Sequence, residues 1–264
     1  MIRRYIIWRD NHAYDERLRR IVDRATLPDT ALDSGPCDAE GVHLATGKTC
    51  ASRLGPSWNR ARMTEPVHDL DIEVQELAEA LGSLTSRGMA AIFGICGRVL
   101  APLLGQVEQR SGGRFTVPDL ALALDLIEAF ATGSAEAADH SELRTRLDRA
   151  VSDDEHPWST YAQDALICVD AGLAAASVGD RPKGVLIQFA MEPLMAVMGD
   201  RDADLIRTYG NRYWRREIIK DPAMAAALGF LRRSIAKVSQ AASVDLREFG
   251  ELVSEAAVLR PADR

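Results

Sequence analysis

Residues 159–177, STYAQDALICVDAGLAAAS, are apolar almost all the way round. Ala162, Ala165, Leu166, Val169 and Leu173 line one face at helical spacing, and Ile167 and Cys168 fill others. A helix that is apolar on most sides belongs at the centre of a bundle, because a surface helix needs only one apolar stripe. Its reading therefore predicts a helix packed on several sides by other helices.

The flanking sequence supplies those neighbours. Leu70, Val74, Leu77, Leu81 and Leu84 recur at steps of four and three, the seam of an amphipathic helix, with Glu73, Glu76 and Glu79 expected on its wet side. A second helix is expected over about 86–108, where Gly94 and Gly97 imply a closely approaching neighbour and Pro102 implies a kink or an end. After the turn Ser111-Gly112-Gly113, Pro118 opens a helix through Leu120, Leu124, Ile127 and Ala131, which Gly133 can close. A charged helix follows over 141–151, with Leu143 and Leu147 inward.

Beyond the break at Asp180-Arg181-Pro182 the spacing predicts a Met-rich helix through Leu186, Phe189, Met191, Leu194, Met195 and Met198, broken or kinked near Pro193. One helix capped by Asp202 is expected to carry Leu205, Ile206, Tyr209, Tyr213 and Trp214. Asp221-Pro222 starts another through Leu228, Leu231, Ile235 and Val238, and the last begins near Ser243 with Leu246, Phe249, Leu252, Val253 and Ala256. No stretch alternates with period two long enough to demand a sheet. The expected class is all-α, a multi-helix bundle.

The 264 residues are 47% hydrophobic but only 6% aromatic, so the core must be built from aliphatic side chains and methionine. Charge is unevenly spread. Residues 1–62 hold 11 basic and 8 acidic residues, whereas residues 63–264 hold 21 and 31, a balance of −10. An acidic body of that size argues against a nucleic-acid footprint; it reads first as an ordinary solubility device and also suits a basic protein partner. No apolar stretch approaches the roughly 20 residues that a membrane crossing needs, so no membrane association and a cytoplasmic location are expected.

Composition changes at Met63. Residues 1–62 read as a poorly ordered extension, in which a basic amphipathic helix over 2–25 precedes a Gly/Pro-punctuated linker over 28–62. Residues 63–264 read as one helical domain. The segment RYIIWRDNHAYDERLRRIVDRA resembles the C-terminal tail of DDE-type insertion-sequence transposases. That resemblance implies a transposase remnant or an upstream start chosen in error, and it carries no catalytic residue. The alternative is a DNA-binding arm.

Within the body, LTSRGMAAIFGICGRVLAP, PDLALALDLIEAF, LRTRLDRAVSDDEHPWSTYAQDALICVDAGLAAA and LGFLRRSIAKV resemble the bacterial domain-of-unknown-function 416 family over about residues 70–240. The resemblance implies a compact α-helical fold and no particular activity. Arg98 and Pro102 resemble the arginine and proline ending that family's second helix, one residue further apart here. Gln163 stands where the family's central helix would start with an acid.

Candidate chemistry is sparse. Asp164 lies opposite the Ala162/Ala165/Val169 face yet between Ile167 and Cys168, so it is expected to be partly buried. It reads either as a ligand-pocket carboxylate or as a structural one bonded to a helix end or to an arginine such as Arg98. Tyr209, Arg212, Tyr213, Trp214, Arg215 and Arg216 form an aromatic and basic stripe. Such a stripe is either a docking face or a helix anchored by aromatics that arginine stems cover.

The loop containing Asp153, Asp154, Glu155 and His156 reads as solvated rather than metal-binding. Cys37, Cys50, Cys96 and Cys168 show no zinc-ligand spacing, and no cofactor or metal motif is present. The leading expectation is a non-catalytic protein-binding module, with an immunity-type inhibitor as one form. A small-molecule binder or enzyme with a pocket around Asp164 is the alternative, and DNA binding through residues 1–25 the third.

Overall fold

Asp69 opens the first helix, accepting hydrogen bonds from the backbone N–H of Asp71 at 3.1 Å and Ile72 at 3.2 Å. A computed structural model describes residues 69–110, 119–150 and 159–261. The expected helix over 2–25, the linker over 28–62, Met63, Cys37, Cys50, the turn at 111–113, Pro118 and the acidic loop around His156 lie outside these residues. Among the described residues the fold is all-α. The only extended pairing there is an isolated parallel bridge between Ala138 and Ser177.

Helix α1 (Leu70–Gly82) buries Leu70, Val74, Leu77 and Leu81 as its seam predicts, and Leu84 is buried just beyond its end. Glu73 departs from the expectation. It is 4% exposed, because it sits one turn from both Leu70 and Leu77 and so borders the seam, where Arg232 pairs with it. Glu76 and Glu79 are on the wet side.

Helix α2 (Ser86–Arg110) runs on through Pro102, which does not end it. The proline ring is exposed, so the ring and the missing N–H fall on the solvent side of the helix. Residues Ser86–Gln106 reach a mean hydropathy of 1.6 over a length sufficient to cross a membrane. That corrects the expectation that no stretch is so long and apolar. Here 78% of the most apolar window is buried inside the bundle.

Helix α3 (Leu120–Ala131) begins after Asp119, a non-glycine residue at φ 64°, and ends at Thr132 with Gly133 in the left-handed region. Arg87 of α2 donates to the carbonyls of Phe130 and Ala135, tying α2 to the last turn of α3 and to the loop beyond it. Helix α4 (Ser141–Ala150) buries Leu143 and Leu147. Its Arg144 is fastened to Asp170 and Asp180.

Helix α5 (Ser159–Ala176) is the central element its sequence predicts, with an unbroken run of buried residues from Ala171 to Ala176. It packs chiefly on α2, and α3 lies against both. The approach is close because glycines stand at the contacts. A Cβ on Gly97 of α2 would lie 3.1 Å from Val169, while one on Gly94 would lie 2.7 Å from Ile127. A Cβ on Gly172 of α5 would lie 2.8 Å from the same Ile127. Ile127, fully buried, thus sits in a notch cut from two helices.

The Met-rich stretch is broken near Pro193, one of the two outcomes its sequence predicts, into a 3-10 helix (Gly184–Ala190) and α6 (Glu192–Arg201) with Pro193 in its first turn. Proline favours exactly such a first-turn position because its missing N–H would be unbonded there anyway. The 3-10 helix packs on α1. The helix expected after Asp202 is also divided, into α7 (Ala203–Tyr209) and α8 (Asn211–Ile218), by Gly210 at φ 85°, ψ 160°.

Helix α9 (Pro222–Ser239) starts at the Asp221 cap as predicted, with the carboxylate accepting from the N–H of Ala223. Helix α10 (Leu246–Glu255) is capped by Asp245, two residues beyond the expected start, and Leu246 is 63% exposed rather than packed inward. A second 3-10 helix (Ala256–Leu259) buries Ala256 and Leu259.

Candidate interaction face

Asp164 is 2% exposed on the central helix, in the environment its flanking apolar residues predict. Cys168, one turn further along α5, is fully buried. Burial raises its thiol well above the ordinary range, with Cys96 and Asp164 adding to the effect. Cys96 is likewise fully buried and is pushed up to about 12 by desolvation. Both cysteines are free thiols packed as small apolar groups.

Arg98 turns toward α3. It pairs with Asp125 at 2.6 Å and with Glu128 at 2.9 Å, and its side chain is 29% exposed. Partial burial works against its charge, but the two carboxylates outweigh that and hold the guanidinium above its ordinary value. Arg98 is therefore a half-buried clasp between α2 and α3.

The aromatic and basic stripe divides between two sides of α7 and α8. Tyr209 is 63% exposed and Tyr213 40% exposed, and their rings lie 5.1 Å apart at 39°. Arg212 is exposed beside them. Trp214 faces the other way, 5% exposed, with its indole N–H donating to Asp202 at 3.0 Å. Arg215 pairs with Asp71 of α1 at 2.7 Å, and Arg216 is half-buried. Trp214 and Arg215 hold the helix down. Tyr209, Arg212 and Tyr213 face solvent.

The anchor itself was not visible in sequence. Asp202 was expected to cap α7, yet its side chain makes no cap bond. Instead it takes two hydrogen bonds from Arg201 as well as the indole N–H. The Arg201 guanidinium also reaches Asp221 at 2.8 Å. Arg201 holds the Asp202 carboxyl below the usual carboxylate range. Burial works to raise Asp221, but the same arginine, together with the backbone N–H groups of Ala223 and Met224, overcomes it and lowers that carboxyl too. Neither partner stands at helical spacing from Trp214, so periodicity could not have joined them.

A groove of about 330 Å³ runs between α1 and α9, lined by Leu77, Ala80, Ile235 and Ala236, with Glu76 and Arg232 among its polar walls. Neither Asp164 nor the tyrosines line it. Among the described residues no group of three or more His, Cys, Asp or Glu side chains is placed to hold a metal ion. Comparison of the chain with known protein families, with curated proteins and with solved structures finds no match.

Proposed function

We propose that this protein is a non-catalytic module that works by binding another protein, and that α7–α8 is its docking face. The observation that carries this reading is the Tyr209–Tyr213 pair, two large rings tilted against each other on the exposed side while Trp214 of the same segment is anchored inward. Tyrosine, tryptophan and arginine dominate the energetics of protein interfaces, the two aromatics because they bring large contact area with few rotamers to freeze and arginine because its planar fork is pre-organised for hydrogen bonding. Two exposed tyrosines flanking an exposed arginine offer that chemistry on a firmly held support. An immunity-type inhibitor, which neutralises a partner by covering it, is the form of such a module that we favour.

The test is capture by the tagged full chain, compared with a Tyr209→Ser/Tyr213→Ser variant. Both rings are exposed, so the variant should keep the wild-type melting temperature. A stoichiometric partner held by the wild type and lost by the variant is the expected result. A partner retained equally by both would move the docking face elsewhere.

A further inference from the structure

The charge at this face is opposite in sign to the charge of the body. Most arginines of the described bundle lie on carboxylates of their own chain: Arg98 on Asp125 and Glu128, Arg144 on Asp170 and Asp180, Arg233 on Glu255. Arg212 is different. It is exposed, and among the described residues it makes no ion pair. Arg216, one turn further, is half-buried, and its Nε has no hydrogen-bond partner there. The acids along the segment are taken as well: Asp204 is paired with Arg207, and Glu217, one turn past Tyr213, with Lys220.

We infer that the segment this face takes is an acidic peptide of the partner protein, its carboxylates on Arg212 and an apolar side chain against Tyr209 and Tyr213. This rests on the docking reading above. The planar guanidinium fork matches a carboxylate in two parallel hydrogen bonds. A basic segment would instead set like charge against Arg212. The −10 balance of the body does not decide the contact, because charges more than about 8 Å away are largely screened at physiological ionic strength. A nucleic acid carries the same anionic chemistry, but its charge continues along the strand past the face and over the acidic body. A short acidic segment touches only the face.

A displayed library of random peptides, selected on the immobilised full chain and counter-selected on the Tyr209→Ser/Tyr213→Ser variant, tests this directly. The expected outcome is enrichment of Asp and Glu beside an apolar residue. A synthesised winner should lose roughly tenfold or more in affinity on Arg212→Glu at unchanged melting temperature, and should weaken as salt rises. Winners that are neutral or basic, or indifferent to Arg212→Glu, overturn the acidic segment while leaving the tyrosine face standing. A library yielding no tyrosine-dependent binder overturns both readings. An oligothymidylate that binds the full chain more tightly than any winner, and loses that binding on Arg212→Glu, overturns it in favour of nucleic acid.

Discussion

Ile127 is gripped from two sides, and the two grips can be separated. Gly94→Ala puts a methyl group 2.7 Å from the isoleucine Cγ2, and Gly172→Ala puts one 2.8 Å from its Cδ1. Each should cost about 1–3 kcal/mol of overpacking, partly offset by the up to 1 kcal/mol that alanine gains over glycine in a helix. Ile127→Val removes Cδ1 alone. Urea unfolding should therefore show Gly172→Ala costing less in the Ile127→Val background, and Gly94→Ala costing about the same; equal costs for Gly172→Ala in both backgrounds would refute the notch. Gly105→Ala, with nothing within 4 Å of the new methyl, should be neutral or stabilising. The sequence exposes half of this arrangement. A glycine inside an apolar helix announces a close neighbour, which marks Gly94, but nothing in the spacing says that the neighbour is Ile127. Asp164 was readable in the same way, since its apolar flanks settle its burial. The place of Glu73 at the edge of the Leu70/Leu77 seam follows from spacing, but the arginine that pairs with it there, Arg232, stands 159 residues further along the chain and does not.

The corner made by α6, α7, α8 and α9 depends on one arginine and one glycine. Arg201 lowers the carboxyls of both Asp202 and Asp221, so each binds its proton more weakly when folded than when unfolded. A depressed carboxyl contributes stability that is present above its unfolded value, near 3.9, and is lost as pH falls through the folded value. Acid should therefore loosen this corner below about pH 4, with Trp214 emission changing as Asp202 releases the indole N–H. Arg201→Met should lower stability at neutral pH and blunt that acid sensitivity; an undiminished acid response would place its cause elsewhere. Gly210 sits at φ 85°, ψ 160°, a region nearly closed to other residues. Gly210→Ala should cost roughly 1–3 kcal/mol in urea unfolding and part the paired tyrosines, weakening partner capture with both rings still present. Helix content along this stretch was legible from apolar spacing. Pro193 announced a break or a kink, whereas the break at Gly210 was not legible, because a glycine is compatible with a continuing helix as well as with an ended one.

At the scale of the described bundle the core is a helix pair, α2 on α5, with α3, α9 and α10 among the elements packed on it. Both free thiols of the described residues belong to that pair. With Cys96 pushed up to about 12 and Cys168 raised by the same burial, neither offers thiolate near neutral pH. Iodoacetamide labelling mapped by mass spectrometry should leave both unmodified in the native protein and reach them at the rate at which the bundle opens. Rapid native labelling would mean a loosely packed centre. The all-α class was legible from one stretch, because a helix apolar all round requires a shell of others. Which neighbour covers which was not, and α1 illustrates why. It packs mainly on the 3-10 helix at Gly184–Ala190 and also on α9, with Arg181 bonded to the carbonyls of Gly82 and Leu84 just past its end. The ribosome therefore releases α1 well before anything exists to cover it. At roughly 5–20 residues per second, the interval before Gly184–Ala190 emerges is on the order of ten seconds. Throughout it Leu70, Val74, Leu77 and Leu81 form an uncovered greasy stripe on a nascent chain, and a chaperone that recognises such stripes would have its clearest opportunity there.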